Sequence, residues 1–565
     1  MHPSRRSLLA GAGGAAALAA LPTSAQTLSI PGVPIPDLTG PVDTLGSTGA
    51  LRPSDRTAHL AHQAAVPEIF QAPRPVASHT DVIVIGTGFG ASVSALRLGQ
   101  AGARVAMLER GSRWPHDPWR RIHASDTALD GRGVWHKRSI KDLLGLAHPV
   151  DKFGGVLDDT IYEHLRVWRG AAVGGGSVVF TGVLLEPPKE YFEHLFGSTV
   201  SQREMHEKWY PKARTMLNAS PMPDDIYQAA PFGHSRRWDK HARTAGYEIE
   251  QLDGIWDWDV VRKELQGRSR RSATIGESNY GNANGAKWDL TLNYLPAAEA
   301  TGKVTVHHWH VVDRIGQDRR GRYTVDLRVV DPTGRVLQER TLTCDRLVLG
   351  AGSVGTSELL VRARAEGTLR HLDDSVGEGF GTNGDAAMTQ FLNLSQGLAQ
   401  GSPSASTILD RSGDIPARME NWYTLGLQVN AGILGSLGMA MDPARARFVY
   451  SAAKDGVILD WPKDGNQAAE DSLRAMQDKI AEANGVGTGV PVLGVPDVGT
   501  SFTAHPLGGA VIGEATDSYG RVKGHRGLYV MDGAAIPGST GTANPSLTIT
   551  ALAERNIARV IADGR

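Results

Sequence analysis

A chain of 565 residues exceeds what one hydrophobic core organises and is long enough for two. Its 59 basic and 60 acidic residues balance, so no polyanionic partner such as nucleic acid is expected and a neutral small molecule fits better. Cys344 is the only cysteine, which excludes an intrachain disulfide, a thiolate metal cluster and a CxxC redox pair; redox chemistry must come from a cofactor.

Residues 1–25 pair Arg5-Arg6 with an Ala/Gly-rich apolar run and end in the small-residue cleavage site Thr23-Ser24-Ala25. They read as a targeting peptide, and the run is too short and glycine-rich for a good membrane span. Ser4-Arg5-Arg6-Ser7-Leu8-Leu9 resembles the twin-arginine export signal, which predicts a periplasmic or secreted protein that folds around its cofactor before export. An ordinary signal or an uncleaved tail is the alternative. Residues 26–79 are rich in Pro, Ser and Thr without clear periodicity and are expected to form a linker and surface arm.

DVIVIGTGFGASVSALRLGQAGARVAMLERG then reads as strand, tight turn, helix and second strand. Gly86 permits the turn, Gly88 lets the backbone approach a pyrophosphate, and Gly90 with Ala91 allows close packing of helix on strand; Phe89 lies between them at the helix start. Glu109 ends the second strand, where a carboxylate accepts the hydroxyls of an adenosine ribose. The motif binds a dinucleotide and does not by itself separate NAD from FAD.

Further along, Gly174-Gly175-Gly176-Ser177 forms a backbone that something flat or charged can approach, or only a flexible loop. KVTVHHWHVVDRIG is expected as a strand leading into a hairpin turned at Asp331 to Gly334. RLVLGAGSVGTSELLVRAR repeats strand, glycine turn and helix, with Gly350, Gly352 and Gly355. The last segment gives a strand ending at Asp532-Gly533, a loop, and a helix starting after Asn544-Pro545. Its positive end would face an anion with about 0.3–2 kcal/mol of stabilisation.

GTGFGAS, VGGGS, HPLGG, MDG and NPSLTITALAERN, in that order, resemble the glucose-methanol-choline flavin oxidoreductases from about Asp81 onward. Within that family the likeness is to members that hold FAD non-covalently and oxidise sterols. NYGNANGAKWDLTLNYLPAAEATGKVTV and VGEGFGTNGD add to it. The resemblance implies an α/β two-domain fold. A discontinuous Rossmann-like FAD domain would be built from 80–115, 285–375 and 515–565, and a sheet-based substrate domain from 116–284 and 376–514. Cofactor contacts are implied at Gly86, Gly88, Phe89, Gly90, Ala91, Glu109, Gly175, Gly176, Ser177, Val312, Gly352, Asp532, Gly533 and Asn544.

The resemblance also implies the chemistry. His505 in TAHPLGG would be the base for an alcohol hydroxyl, or the group that orients it and a water. Asn544 would touch flavin and substrate oxygen, capping the last helix as its plainer role. Glu420 would move a proton between sterol carbons to shift the 5,6 double bond; a solvated glutamate at a strand start is the plain alternative. Phe180, Val183 and Ser546 depart from the family pattern. The expected partners are a sterol-like apolar alcohol and O₂, with transient membrane-surface contact to extract substrate. A dehydrogenase passing electrons to a quinone or cytochrome is the alternative, and a flavin-bearing binding protein is the non-enzymatic one. The oligomeric state is open.

Overall fold

The computed structural model describes residues 52–125, 128–141, 147–391, 400–423, 432–488 and 501–564. The targeting peptide and residues 26–51 of the expected linker lie outside these.

The apolar runs that precede the glycine turns line up as a parallel sheet. His79–Ile85 lies between Val105–Leu108 and the C-terminal part of Val336–Leu349. Val304–His307 extends the sheet on one side and Leu528–Val530 on the other. Val82, Ile83 and Val84 are fully buried, as strands covered on both faces require. The helices Phe89–Gln100 and Pro545–Ala562 pack on each other, so the first and last cofactor segments share one layer.

KVTVHHWHVVDRIG, expected as one strand, forms two. Buried Trp309 takes a φ of 61° between Val304–His307 and His310–Gln317. The break lets the chain leave the parallel sheet for an antiparallel extension, where His310–Gln317 pairs with Tyr323–Val330 and that strand with Val336–Leu349. The hairpin turns where expected: the Asp331 carboxylate accepts from the Thr333 amide (2.9 Å) and hydroxyl (2.6 Å).

A second, antiparallel sheet runs Gly487–Thr488, Ala386–Phe391, Ile433–Ala440, Ala417–Trp422, Ser406–Asp410, Glu250–Gln251. Met419 on one face joins a core with Leu473, Met476 and Ile480 of the helix Gln467–Asn484. Alternation then puts Arg418, Glu420 and Trp422 on the other face. A third, smaller sheet pairs Ser501–Thr503 in parallel with Leu165–Gly170 and ends two residues before His505. The molecule is an α/β protein with a Rossmann-like sheet and a second, sheet-based part, and from residue 52 the described chain belongs to one compact unit.

The arm contains a helix that periodicity did not reveal. Within the expected linker, Pro53–Ala65 is helical, with Pro53 in its first turn. Its buried side chains are polar: Asp55 pairs with Arg138 (2.9 Å) and His62 with Asp151 (2.9 Å), while the His62 and Phe153 rings meet tilted at 58° with centroids 4.8 Å apart. A helix held by ion pairs leaves no apolar stripe in the sequence.

Gly90 is the tightest joint between the first helix and the sheet: a Cβ there would sit 1.4 Å from the Met531 carbonyl oxygen. Gly90→Ala is expected to lower stability by at least about 1–3 kcal/mol and to yield protein that does not retain flavin, read by thermal melting and the visible flavin absorbance.

Candidate active site

The carboxyl ends of the parallel strands open into a cavity of about 620 Å³ that reaches from Glu109 and Val312 past Gly88, Gly176 and Gly352 to His505 and Asn544. Close backbone contacts shape it. Gly86, at φ 91°, abuts Gly350, where a Cβ would lie 2.3 Å from the carbonyl oxygen; a Cβ on Gly175 would lie 2.7 Å from the Gly88 Cα. Gly88, Gly176 and Gly352 have nothing within 4 Å of a Cβ and border the open space.

This cradle fits FAD. Three helix N-termini border the cavity, those of Phe89–Gln100, Gly352–Glu366 and Pro545–Ala562, which suits a pyrophosphate and a ring system that gains negative charge. Glu109 lines it as a buried carboxylate that accepts from the Thr87 hydroxyl (2.7 Å) and the Gly111 amide (3.0 Å), leaving lone pairs for a ribose. Burial pushes its pKa up against those two bonds. Asp532 accepts from the Gly352 amide (2.9 Å), the Thr356 hydroxyl (2.5 Å) and the Ala534 amide (2.9 Å), tying the last strand to the Gly352 helix. Burial raises it to about 6.

Of the other expected contacts, Phe89, Gly90, Val312 and Gly533 line the cavity. Ala91 and Ser177 support the loops from beneath. Ala91 packs under Gly350, and the Ser177 hydroxyl donates to the Gly174 carbonyl (2.7 Å) and accepts from the Leu290 amide (3.1 Å). Phe180, Val183 and Ser546, the three departures from the family pattern, all stand in the wall, with Phe180 edge-on to Phe89 at 5.5 Å.

His505 is held from both sides of its loop. Leu507 exchanges backbone bonds with Gly381, and the Gly508 amide donates to the Gly533 carbonyl (2.9 Å). Gly508 and Gly509 take φ of 84° and 102°, and a Cβ on Gly508 would meet the Gly379 carbonyl oxygen at 2.0 Å. The imidazole Nδ1 lies 2.7 Å from Oδ1 of Asp385, a buried carboxylate with 0% side-chain exposure. Burial would lower the His505 pKa, but the charges of Asp385 and Glu420 outweigh it and raise the pKa.

Asn544 does not cap its helix with its side chain. Its amide Nδ2 instead donates to Oε1 of Glu420 (3.3 Å), and its Oδ1 has no protein partner among the described residues. Glu420 sits in mid-strand rather than at a solvated strand start and is fully buried; it stands behind Asn544, outside the residues that line the cavity. Its Oε2 is unpartnered among the described residues. Burial raises its pKa to about 7, opposed by His505 and the Asn544 bond.

Two residues escaped the sequence reading: Asp385 and Asn383. Buried Asn383, at φ 59°, donates to the Ala543 carbonyl (2.9 Å) and accepts from the Thr540 amide (2.9 Å) and hydroxyl (3.1 Å), holding the loop that ends at Asn544. One turn therefore braces both His505 and Asn544. The signal was VGEGFGTNGD, a glycine-rich stretch carrying a polar pair, but nothing local tied it to a histidine 120 positions away.

Family models described as GMC oxidoreductase match residues 80–380 and 458–553. A cholesterol oxidase from Acinetobacter baumannii is 26% identical over 84% of this chain and 93% of its own length. One from Mycobacterium tuberculosis is 28% identical over 84% and 90%. Among solved structures, pyridoxine 4-oxidase from Mesorbium loti superposes with a TM-score of 0.56 at 16% identity, covering 86% of this chain and 99% of that one.

The raised pKa of Glu420 has a thermodynamic signature. Between its ordinary 4.5 and about 7 the folded protein keeps a proton that the unfolded chain has released, so stability falls as pH rises through that window. Glu420→Gln lacks this slope. Its stability relative to the unmodified protein is expected to rise by up to about 3 kcal/mol from pH 4.5 to 7 and then level off, read from urea midpoints across pH.

Proposed function

This chain belongs to the GMC oxidoreductases, as an FAD-dependent alcohol oxidoreductase, and on that premise we propose that it is an exported oxidase of 3β-hydroxysteroids. The observation that carries this reading is the company His505 and Asn544 keep. They share a cavity with Trp168, Trp422, Leu437 and Phe502, apolar side chains that belong to one buried cluster and offer a rigid hydrocarbon an extended surface. The likeness to two cholesterol oxidases supports the substrate class.

FAD, when bound, supplies the two-electron acceptor for the carbinol C–H and passes those electrons to O₂, giving hydrogen peroxide. The chain supplies the proton chemistry. His505 accepts the hydroxyl proton through Nε2, the nitrogen not engaged by Asp385, and the nearby carboxyl groups favour the imidazolium that results. Asn544, which gives one N–H of its amide to Glu420, has a second N–H that donates to the alcohol oxygen and orients it. Glu420, behind Asn544 with a pKa near 7 and an Oε2 that has no partner among the described residues, would swing past Asn544 into the cavity to take a proton from one sterol carbon and return it to another, moving the 5,6 double bond into conjugation with the new ketone.

Purified holoenzyme given cholesterol in detergent micelles, with no added acceptor, is expected to produce one peroxide per ketone. Bleaching of the flavin without peroxide would make the protein a dehydrogenase that uses a quinone or cytochrome, and no bleaching would remove sterols as substrates. His505→Ala is expected to slow anaerobic flavin reduction by about 10²–10⁴, followed by stopped-flow absorbance. Glu420→Gln should oxidise the alcohol at a similar rate and accumulate the unconjugated ketone, resolved by chromatography; equal loss of both steps would refute the division of roles.

A further inference from the structure

We infer that Asp385 is a positioning residue for the alcohol oxidation, one that fixes the His505 imidazole in the tautomer with its proton on Nδ1 and its lone pair on Nε2. The inference rests on the proposed role of His505 as base and adds what makes that role possible.

The donor count around Asp385 carries the argument. Its Oδ2 accepts from the Ala504 amide (2.9 Å), shares the His505 amide (3.1 Å) with Thr503 Oγ1 (2.8 Å), and lies 2.9 Å from the Thr503 hydroxyl, which also reaches the Thr382 carbonyl (3.0 Å). Its Oδ1 meets His505 Nδ1 at 2.7 Å. As a carboxylate Asp385 offers only lone pairs at Oδ1, so the hydrogen of the contact to Nδ1 comes from the ring. A neutral imidazole has one N–H; with it on Nδ1, Nε2 is the acceptor. The carboxylate is fully buried and the ring 13% exposed, so water does not compete for this contact as it would at the surface.

The same geometry says what an isosteric change does. In Asp385→Asn, the Ala504 and His505 amides cannot turn round, so the new amide must present its oxygen where Oδ2 lies. Its NH₂ group then faces Nδ1 and makes that nitrogen an acceptor. The ring proton moves to Nε2, which can no longer take a proton from an alcohol. A substitution that keeps shape and packing thereby inverts the tautomer and removes the base without removing the histidine.

The direct test is ¹⁵N NMR of histidine-labelled full-length holoenzyme, with the His505 resonances identified by their loss in His505→Ala. The expected spectrum has protonated Nδ1 in the unmodified protein and protonated Nε2 in Asp385→Asn. Protonated Nε2 in the unmodified protein would overturn the inference, and that spectrum alone decides it should Asp385→Asn fail to fold. With cholesterol micelles as probe, Asp385→Asn is expected to retain its flavin and to reduce it about 10²–10⁴-fold more slowly at saturating substrate. The Asp385→Asn/His505→Ala double variant should be no slower than His505→Ala alone, because Asp385 acts through the ring. Losses that multiply would give Asp385 an independent role and overturn the inference. An unchanged rate in His505→Ala would instead refute the histidine as base, while the spectrum still judges the tautomer.

Discussion

The close approach of glycine backbones at the carboxyl ends of the parallel strands is the constraint on which the site depends. Gly86 touches Gly350, Gly90 touches the Met531 carbonyl, and Gly175 touches Gly88, each at a distance that leaves no space for a side chain. These contacts join the first, second and last cofactor segments with the Gly174–Gly176 loop, so four stretches distant in sequence share one cradle. They also bring three helix N-termini to one cavity, where their unpaired amides and partial positive charge meet an anion. Because the joints are backbone against backbone, neighbouring side chains have no freedom to relax around a change.

A second constraint links the chemistry to that cradle. The turn from Thr382 to Asp385 belongs to neither His505 nor Asn544 in sequence, yet it holds both. Asn383 bonds the loop before Asn544, and Asp385 bonds the loop before His505 and the imidazole itself. Gly384, at φ 66°, lets the turn pass close to the second sheet, where a Cβ would lie 2.5 Å from the Ala440 carbonyl oxygen. The relative position of His505 and Asn544 is thus set by four residues anchored against the second sheet.

Electrostatics follows from burial. Glu109, Asp532 and Glu420 all lose hydration near the cavity and all have raised pKa values, while hydrogen bonds to each oppose the shift. His505 goes the other way relative to its own desolvation because two carboxyl groups act on it. Glu420, with a pKa near 7, and His505, whose pKa the neighbouring carboxyl groups raise, sense each other's charge and titrate as a coupled pair.

Much of the fold was legible in the sequence because its signals are local. Apolar runs ending in glycine specify strand and turn, Asp331 to Gly334 specifies a hairpin, and Pro545 opens a helix; each depends on residues a few positions apart. Similarity singled out His505, Asn544 and Glu420 as motifs in order, as it did the glycines, and the fold brings the three together. What sequence could not show depends on contacts across the chain. The arm helix Pro53–Ala65 is held by ion pairs to residues near 138 and 151, so no periodicity marked it. Capping the last helix was the plainer role open to Asn544, but Glu420, 124 residues earlier, takes its amide. Asp385 is an ordinary acid in a glycine-rich stretch until folding buries it under His505. Local sequence determined which elements form and which residue types could do the chemistry; tertiary structure decided the partner of each titratable group. A proton's position depends on what lies within 3 Å in space, and short-range sequence pattern does not encode that distance.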